Sequence, residues 1–153
     1  MRRHRSGHDG RPSTQDAADP LRTIARWALG GALLVAGTGH LTTQREEFQA
    51  QVPSWFPVDE DAVVVASGVV ELLLGAALIL AGRRRAPLVG LVAAGFFVAI
   101  FPGNIAQWAE HKDGFGLDTD AKRFARLWFQ PVLVAWALWS TGAWRQLRER
   151  AGS

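Results

Sequence analysis

A chain of 153 residues suffices for one domain, and the lack of cysteine excludes thiol–disulfide relays, iron–sulfur ligation and cysteine zinc sites. Its 17 Lys and Arg against 14 Asp and Glu give a net charge of +3. No recognition motif or stacking aromatic array accompanies that basic balance, so it does not read as nucleic-acid binding, and no GxGxxG, phosphate-binding loop or HExxH occurs.

The charges are segregated rather than spread. Residues 1–22 form a basic tail rich in Arg, Ser, Gly, Asp and Pro, expected to be disordered. Residues 27–44 then carry no Asp, Glu, Lys or Arg, which predicts a first helix over about 24–42. That stretch is short and Gly-rich and has the length of a signal peptide. Residues 35–39, Val-Ala-Gly-Thr-Gly, are nevertheless a poor cleavage site behind an unusually long basic region, so it reads as an uncleaved span.

The next segment, Val52-Pro53-Ser54-Trp55-Phe56-Pro57, reads as an aromatic anchor at a membrane interface. The functional alternative is a lid built on Pro53, Trp55 and Pro57. A second helix is predicted over about 61–82, where Glu71 is the one charged residue after Asp61. The third, over about 86–109, has no charge at all, and the fourth covers about 123–144 before a short tail at 147–153. Asp113, Asp118 and Asp120 fall between the last two and lack EF-hand spacing, which predicts a solvated acidic loop and no metal site. A hydrocarbon core about 30 Å thick needs roughly 20 mostly apolar residues in helix. The expected architecture is an all-α, four-helix transmembrane bundle in residues 23–146, a multi-pass protein of the plasma membrane.

Orientation follows from the basic residues. Arg2, Arg3, Arg5, Arg11, Arg22 and Arg26 precede or open the first helix, Arg83-Arg84-Arg85 join the second and third, and Arg145, Arg148 and Arg150 follow the fourth. The two other loops are acidic on balance. With four spans every basic cluster falls on one side, which predicts cytoplasmic N- and C-termini.

The polar residues inside the apolar stretches carry the chemistry. Glu71 lies roughly 12 Å below the outer end of its helix at about 1.5 Å per residue, where an ionised carboxylate costs a few kcal/mol or more unless paired. Gly68, Gly75 and Gly82 share its face, and Gly30, Gly37 and His40 share one on the first helix; small residues let helices approach closely. Asn104 stands on the third helix, and Arg126 and Gln130 stand one turn apart on the fourth. Pro102 and Pro131 deprive the carbonyls of Val98 and Leu127 of their helical donors, and such groups need a polar neighbour in lipid. Together these predict a buried polar cluster with Glu71 paired to Arg126 and oriented by His40, Asn104 and Gln130. The plainer alternatives are snorkelling for His40 and Arg126 and interhelical glue for the two amides. His40 is the one histidine within a predicted span, which argues against haem.

The motifs occur in a recognisable order. Gly39-His40, Phe48, residues 52–57, Ser67-Gly68-Val69-Val70-Glu71, Phe101-Pro102-Gly103-Asn104-Ile105 and Arg126-Leu127-Trp128-Phe129-Gln130 together resemble the DoxX family of small bacterial membrane proteins. Two positions depart from that family: Leu41 stands where Phe usually follows the His, and Gln44-Arg45 stands where a Pro is common.

DoxX takes its name from a subunit of a thiosulfate:quinone oxidoreductase, so the resemblance implies an accessory or quinone-linked redox subunit. It would work with quinone in the bilayer and with a redox partner protein or a second copy of itself. The alternative is a non-enzymatic module that binds a small lipophile or stabilises a partner.

Overall fold

The structure, a computed structural model, describes residues 19–152. The basic tail through residue 18, with the disorder expected of it, lies outside the described residues. Among the described residues the chain is all-α: α1 Pro20–Leu41, α2 Arg45–Gln49, α3 Glu60–Leu80, α4 Ala86–Ala109, α5 Asp120–Thr141 and α6 Ala143–Ala151. The four long helices overlap the four charge-poor stretches.

Their ends follow from local chemistry. Asp19 caps α1 by accepting from the Leu21 amide at 3.1 Å, and Pro20 stands in the first turn, so the helix begins earlier than 24. Asp59 caps α3 through the Ala62 amide at 3.0 Å, and Thr119 caps α5. Gly142, at φ 79°, adopts the left-handed conformation that ends α5. The last long helix therefore stops at Thr141 rather than 144, and the segment read as a tail is a separate helix, α6. The short α2 was likewise not expected: five residues are too few to show a period.

Four glycines let α1 and α3 approach closely. A Cβ on Gly30 would meet the Gly75 carbonyl oxygen at 2.8 Å, and one on Gly75 would meet the Gly30 oxygen at 2.7 Å. Gly37 and Gly68 oppose each other in the same way, at 2.7 and 3.1 Å. Because 30 faces 75 and 37 faces 68, α1 and α3 run antiparallel with their backbones in contact. A second antiparallel pair forms from α4 and α5, where Gly90 has no room for a side chain beside Thr141. Contact between α1 and α5 joins the pairs, while α3 and α4 touch only lightly.

The core fills one half of this bundle. Leu29, Leu33, Leu74, Leu78, Ala93, Ala94, Phe97 and Ala137 pack together. Below them the Trp136 indole donates to the Ala25 carbonyl at 2.9 Å, and Arg26 donates to the Ala81 carbonyl at 2.5 Å. The other half contains polar residues instead, while large apolar side chains face outward: Leu80 is 80% exposed and Leu73 66%, against 5% for Glu71. By length and composition α3 and α4 can each cross a membrane. The helices α1 and α5 match them in length and carry charges in their first turns.

Candidate functional site

The packing of α1 on α3 decides where the polar side chains meet. Helical side chains lean toward the N-terminus of their own helix. His40 and Glu71 each stand three residues beyond a contacting glycine, Gly37 and Gly68. In an antiparallel pair both therefore lean back to one level. His40 Nδ1 lies 3.0 Å from Glu71 Oε2 and 2.9 Å from the Ala36 carbonyl oxygen. A carbonyl only accepts, so Nδ1 carries the hydrogen. That single N–H is directed at Ala36, and Glu71 Oε2 is buried without a well-directed donor.

The imidazole is clamped from the other side. Phe48, on α2, stacks on His40 with ring centroids 3.3 Å apart and planes 16° apart, and Phe115 meets Phe48 edge-on at 4.5 Å. The Glu47 carboxylate accepts from the Phe115 amide at 2.6 Å, which ties α2 to the loop before α5. The short helix is thus what holds the histidine in place.

Opposite this pair, Gln130 donates from Nε2 to the Phe97 carbonyl at 2.6 Å, and Asn104 donates from Nδ2 to Gln130 Oε1 at 3.0 Å. The carbonyl served is that of Phe97, one residue before the Val98 carbonyl that Pro102 leaves without its helical donor. Asn104 Oδ1 remains buried and unpartnered.

Arg126 corrects the expected arrangement. Its guanidinium sits over the Phe129 ring at 5.4 Å, and among the described residues it has no carboxylate within 4 Å. Glu71 acts on it only across intervening space. Helix α5 packs on α1 and α4 and not on α3, whereas the glycines bring the His40 backbone directly against α3. Glu71 therefore meets the imidazole and not the guanidinium.

All five predicted polar residues, His40, Glu71, Asn104, Arg126 and Gln130, line one cavity of about 510 Å³. Its walls are otherwise apolar and aromatic, and Pro53, Trp55 and Phe56 border it, whereas Pro57 does not. The segment carrying them is tied down. Lys112 donates to the Val52 carbonyl at 2.7 Å, the Ser54 amide donates to the Glu110 carboxylate at 3.3 Å, and Lys112 pairs with Glu110 at 3.1 Å. Gly103 of α4 has no room for a Cβ against the Gln51 carbonyl. Hydrogen bonding from Ser54, aided by the Lys112 charge, holds the Glu110 carboxyl below its ordinary range.

Three residues of this half escaped the sequence reading. Gln51 lines the cavity with its Nε2 buried and unpartnered, and nothing in a loop glutamine signals that. Phe48 belongs to the resemblance motif, yet its stacking role depends on α2. Arg123, 5% exposed, bonds to the Lys112 carbonyl at 3.1 Å, to Asp120 at 2.7 Å and to Asp113. Asp113, Asp118 and Asp120 are exposed, as expected of a solvated acidic loop, and they also have partners: Lys122 pairs with Asp118 at 2.6 Å, and His111 lies 2.7 Å from Asp120.

Neither a curated protein nor a solved structure matches the chain. A family model described as Domain of unknown function (DUF8561) matches residues 29–141, a range that contains every residue lining the cavity. The chain belongs to that family.

Proposed function

We propose that the protein is a four-span bundle of the plasma membrane with cytoplasmic ends, and that its cavity binds a quinone headgroup in the outer half of the bilayer. The helix exteriors rich in Leu and Val, the buried polar residues and the alternation of basic and acidic loops support the membrane arrangement. Glu71 beside His40 in an apolar cavity of about 510 Å³ is the observation that carries the ligand reading.

Quinone chemistry couples electrons to protons. A carboxylate and an imidazole 3.0 Å apart can hold and pass a proton at the headgroup. The electrons come from a partner, and the protein serves as the quinone-linked subunit, a role in keeping with its DoxX resemblance. Purified protein should carry co-extracted quinone and, with its partner, support quinone-dependent oxidation of a sulfur donor. Bound quinone without turnover would make it a binding module, and neither quinone nor turnover would end the reading.

A further inference from the structure

Two main-chain carbonyls dictate which way the polar atoms of the cavity face. The Phe97 carbonyl can only accept, so the Gln130 amide must turn Nε2 toward it and Oε1 away. Gln130 Oε1 then requires a donor, which fixes Asn104 Nδ2 against it and leaves Asn104 Oδ1 as a buried acceptor without a partner. The Ala36 carbonyl does the same on the facing side. It takes the Nδ1–H of His40 and leaves Glu71 Oε2 as a second buried acceptor without a well-directed donor. Both residues line the same cavity, and Glu71 and Asn104 are 5% and 4% exposed. Buried acceptors without donors are costly, so a ligand that brings hydrogens to them is favoured over one that brings only further lone pairs.

We infer that the cavity selects the reduced, hydroxyl-bearing form of its ligand, a quinol, over the quinone. The inference rests on the quinone-site reading and adds its redox form. A quinone offers two carbonyl oxygens and no donor. A quinol offers two O–H groups, which can serve Glu71 Oε2 and Asn104 Oδ1, and its hydroxyl oxygens can still accept from the buried Gln51 Nε2. Selectivity of this kind is strong because a site built around a hydroxyl is left with unpaired polar groups when the hydroxyl is missing.

The test is anaerobic binding of a short-chain benzoquinone, its hydroquinone and the hydroquinone dimethyl ether to the purified full chain in nanodiscs. The ether keeps the ring and both oxygens, removes both donors at the cost of two added methyl groups, and does not interconvert with the quinone. The hydroquinone should bind about tenfold or more tightly than either of the others. In Glu71→Gln, whose amide can present a hydrogen in place of a lone pair, that preference should shrink to about twofold, with retained folding checked by size exclusion. Equal binding of all three, tighter binding of the quinone, or an unchanged preference in the variant would overturn the inference while leaving a quinone site in place. Binding of none of them would remove the site itself.

Discussion

His40 Nδ1 stands 3.0 Å from Glu71 Oε2 because Gly37 and Gly68 bring the backbones of α1 and α3 together and both side chains lean back to the level of that contact. The pair is a consequence of packing, so its chemistry depends on residues that touch no ligand. Gly68→Ala would place a Cβ 2.7 Å from His40 Cβ, an atom fixed to its backbone. Such overpacking costs typically 1–3 kcal/mol. The variant should unfold at lower temperature and lose ligand affinity together. Gly31→Ala is the control: nothing lies within 4 Å of its Cβ, and a helical Gly→Ala there should stabilise by about 0.5–1 kcal/mol. Equal melting of the two variants would remove the glycine contact as the organiser of the site.

The imidazole and the carboxylate should also depend on each other energetically. His40→Leu puts an apolar side chain against the buried Glu71 carboxylate in place of the polar ring 3.0 Å away, and stripping a buried polar group of its polar neighbour costs roughly 1–3 kcal/mol. Glu71→Leu removes the group that needs a polar neighbour. The double variant should therefore recover much of the stability lost in His40→Leu. Unfolding free energies for the four proteins give the coupling, and additivity within about 0.5 kcal/mol would show that the two side chains act independently.

Much of this arrangement can be read from the chain, and the limits have physical causes. Charge-poor stretches of helical length locate the four long helices, because an ionised side chain in their middles is costly unless, like Glu71, it has a polar neighbour. Glycines spaced seven apart on α1 and on α3 identify the contacting faces. The partner of Glu71 is another matter. Arg126 is the stronger cation, and one-dimensional depth places it near Glu71, but only the order of helices around the bundle shows that α5 does not abut α3. The role of Phe48 and the orphan amide of Gln51 depend on where a loop folds back, which no periodicity encodes. Arg123 and Arg126 lie three apart and look alike in sequence. One organises the loop before α5 with three hydrogen bonds, and the other lines the cavity.

That division of labour can be measured. Arg123→Lys keeps the charge and loses the fork that reaches Asp113, Asp120 and the Lys112 carbonyl at once. Its carboxylate partners are largely exposed, so the loss should be modest, about 1–3 kcal/mol. Amide exchange should quicken between residues 110 and 120. Arg126→Lys should leave that loop protected and alter ligand affinity. The reverse pattern would mean the two arginines have been assigned the wrong way round.

The roof of the cavity should loosen in acid. The Glu110 carboxyl, hydrogen-bonded by Ser54 and paired with Lys112, titrates below the ordinary value of 4.5. A group depressed in the folded state contributes stability that is full above its ordinary value and is lost as the pH falls through the lower, folded one. Protection of the Ser54 amide, measured against its intrinsic exchange rate, should hold at neutral pH and fall only as the pH drops through the lowered carboxyl value. In Glu110→Gln that acid-side change should disappear, and exchange at neutral pH should already be faster. A midpoint near neutrality would assign the opening to a different group.

The absence of cysteine makes the proposed topology directly testable. Single cysteines introduced at Glu46 on α2 or Asp118 in the loop before α5 would lie on the acidic side of the bundle, and ones at Arg84 or Glu149 beside the basic clusters. With four spans and a cytoplasmic basic side, an impermeant maleimide applied to intact cells should label the first two and spare the others. After lysis all four should react, which separates protection by the membrane from burial within the protein. Glu46, Arg84 and Glu149 are exposed in the folded chain, as is Asp118, so slow reaction after lysis is not expected at any of them. Labelling of Arg84→Cys in intact cells would place the basic loop outside. The cavity would then open toward the cytoplasm, and its protons would come from the opposite compartment.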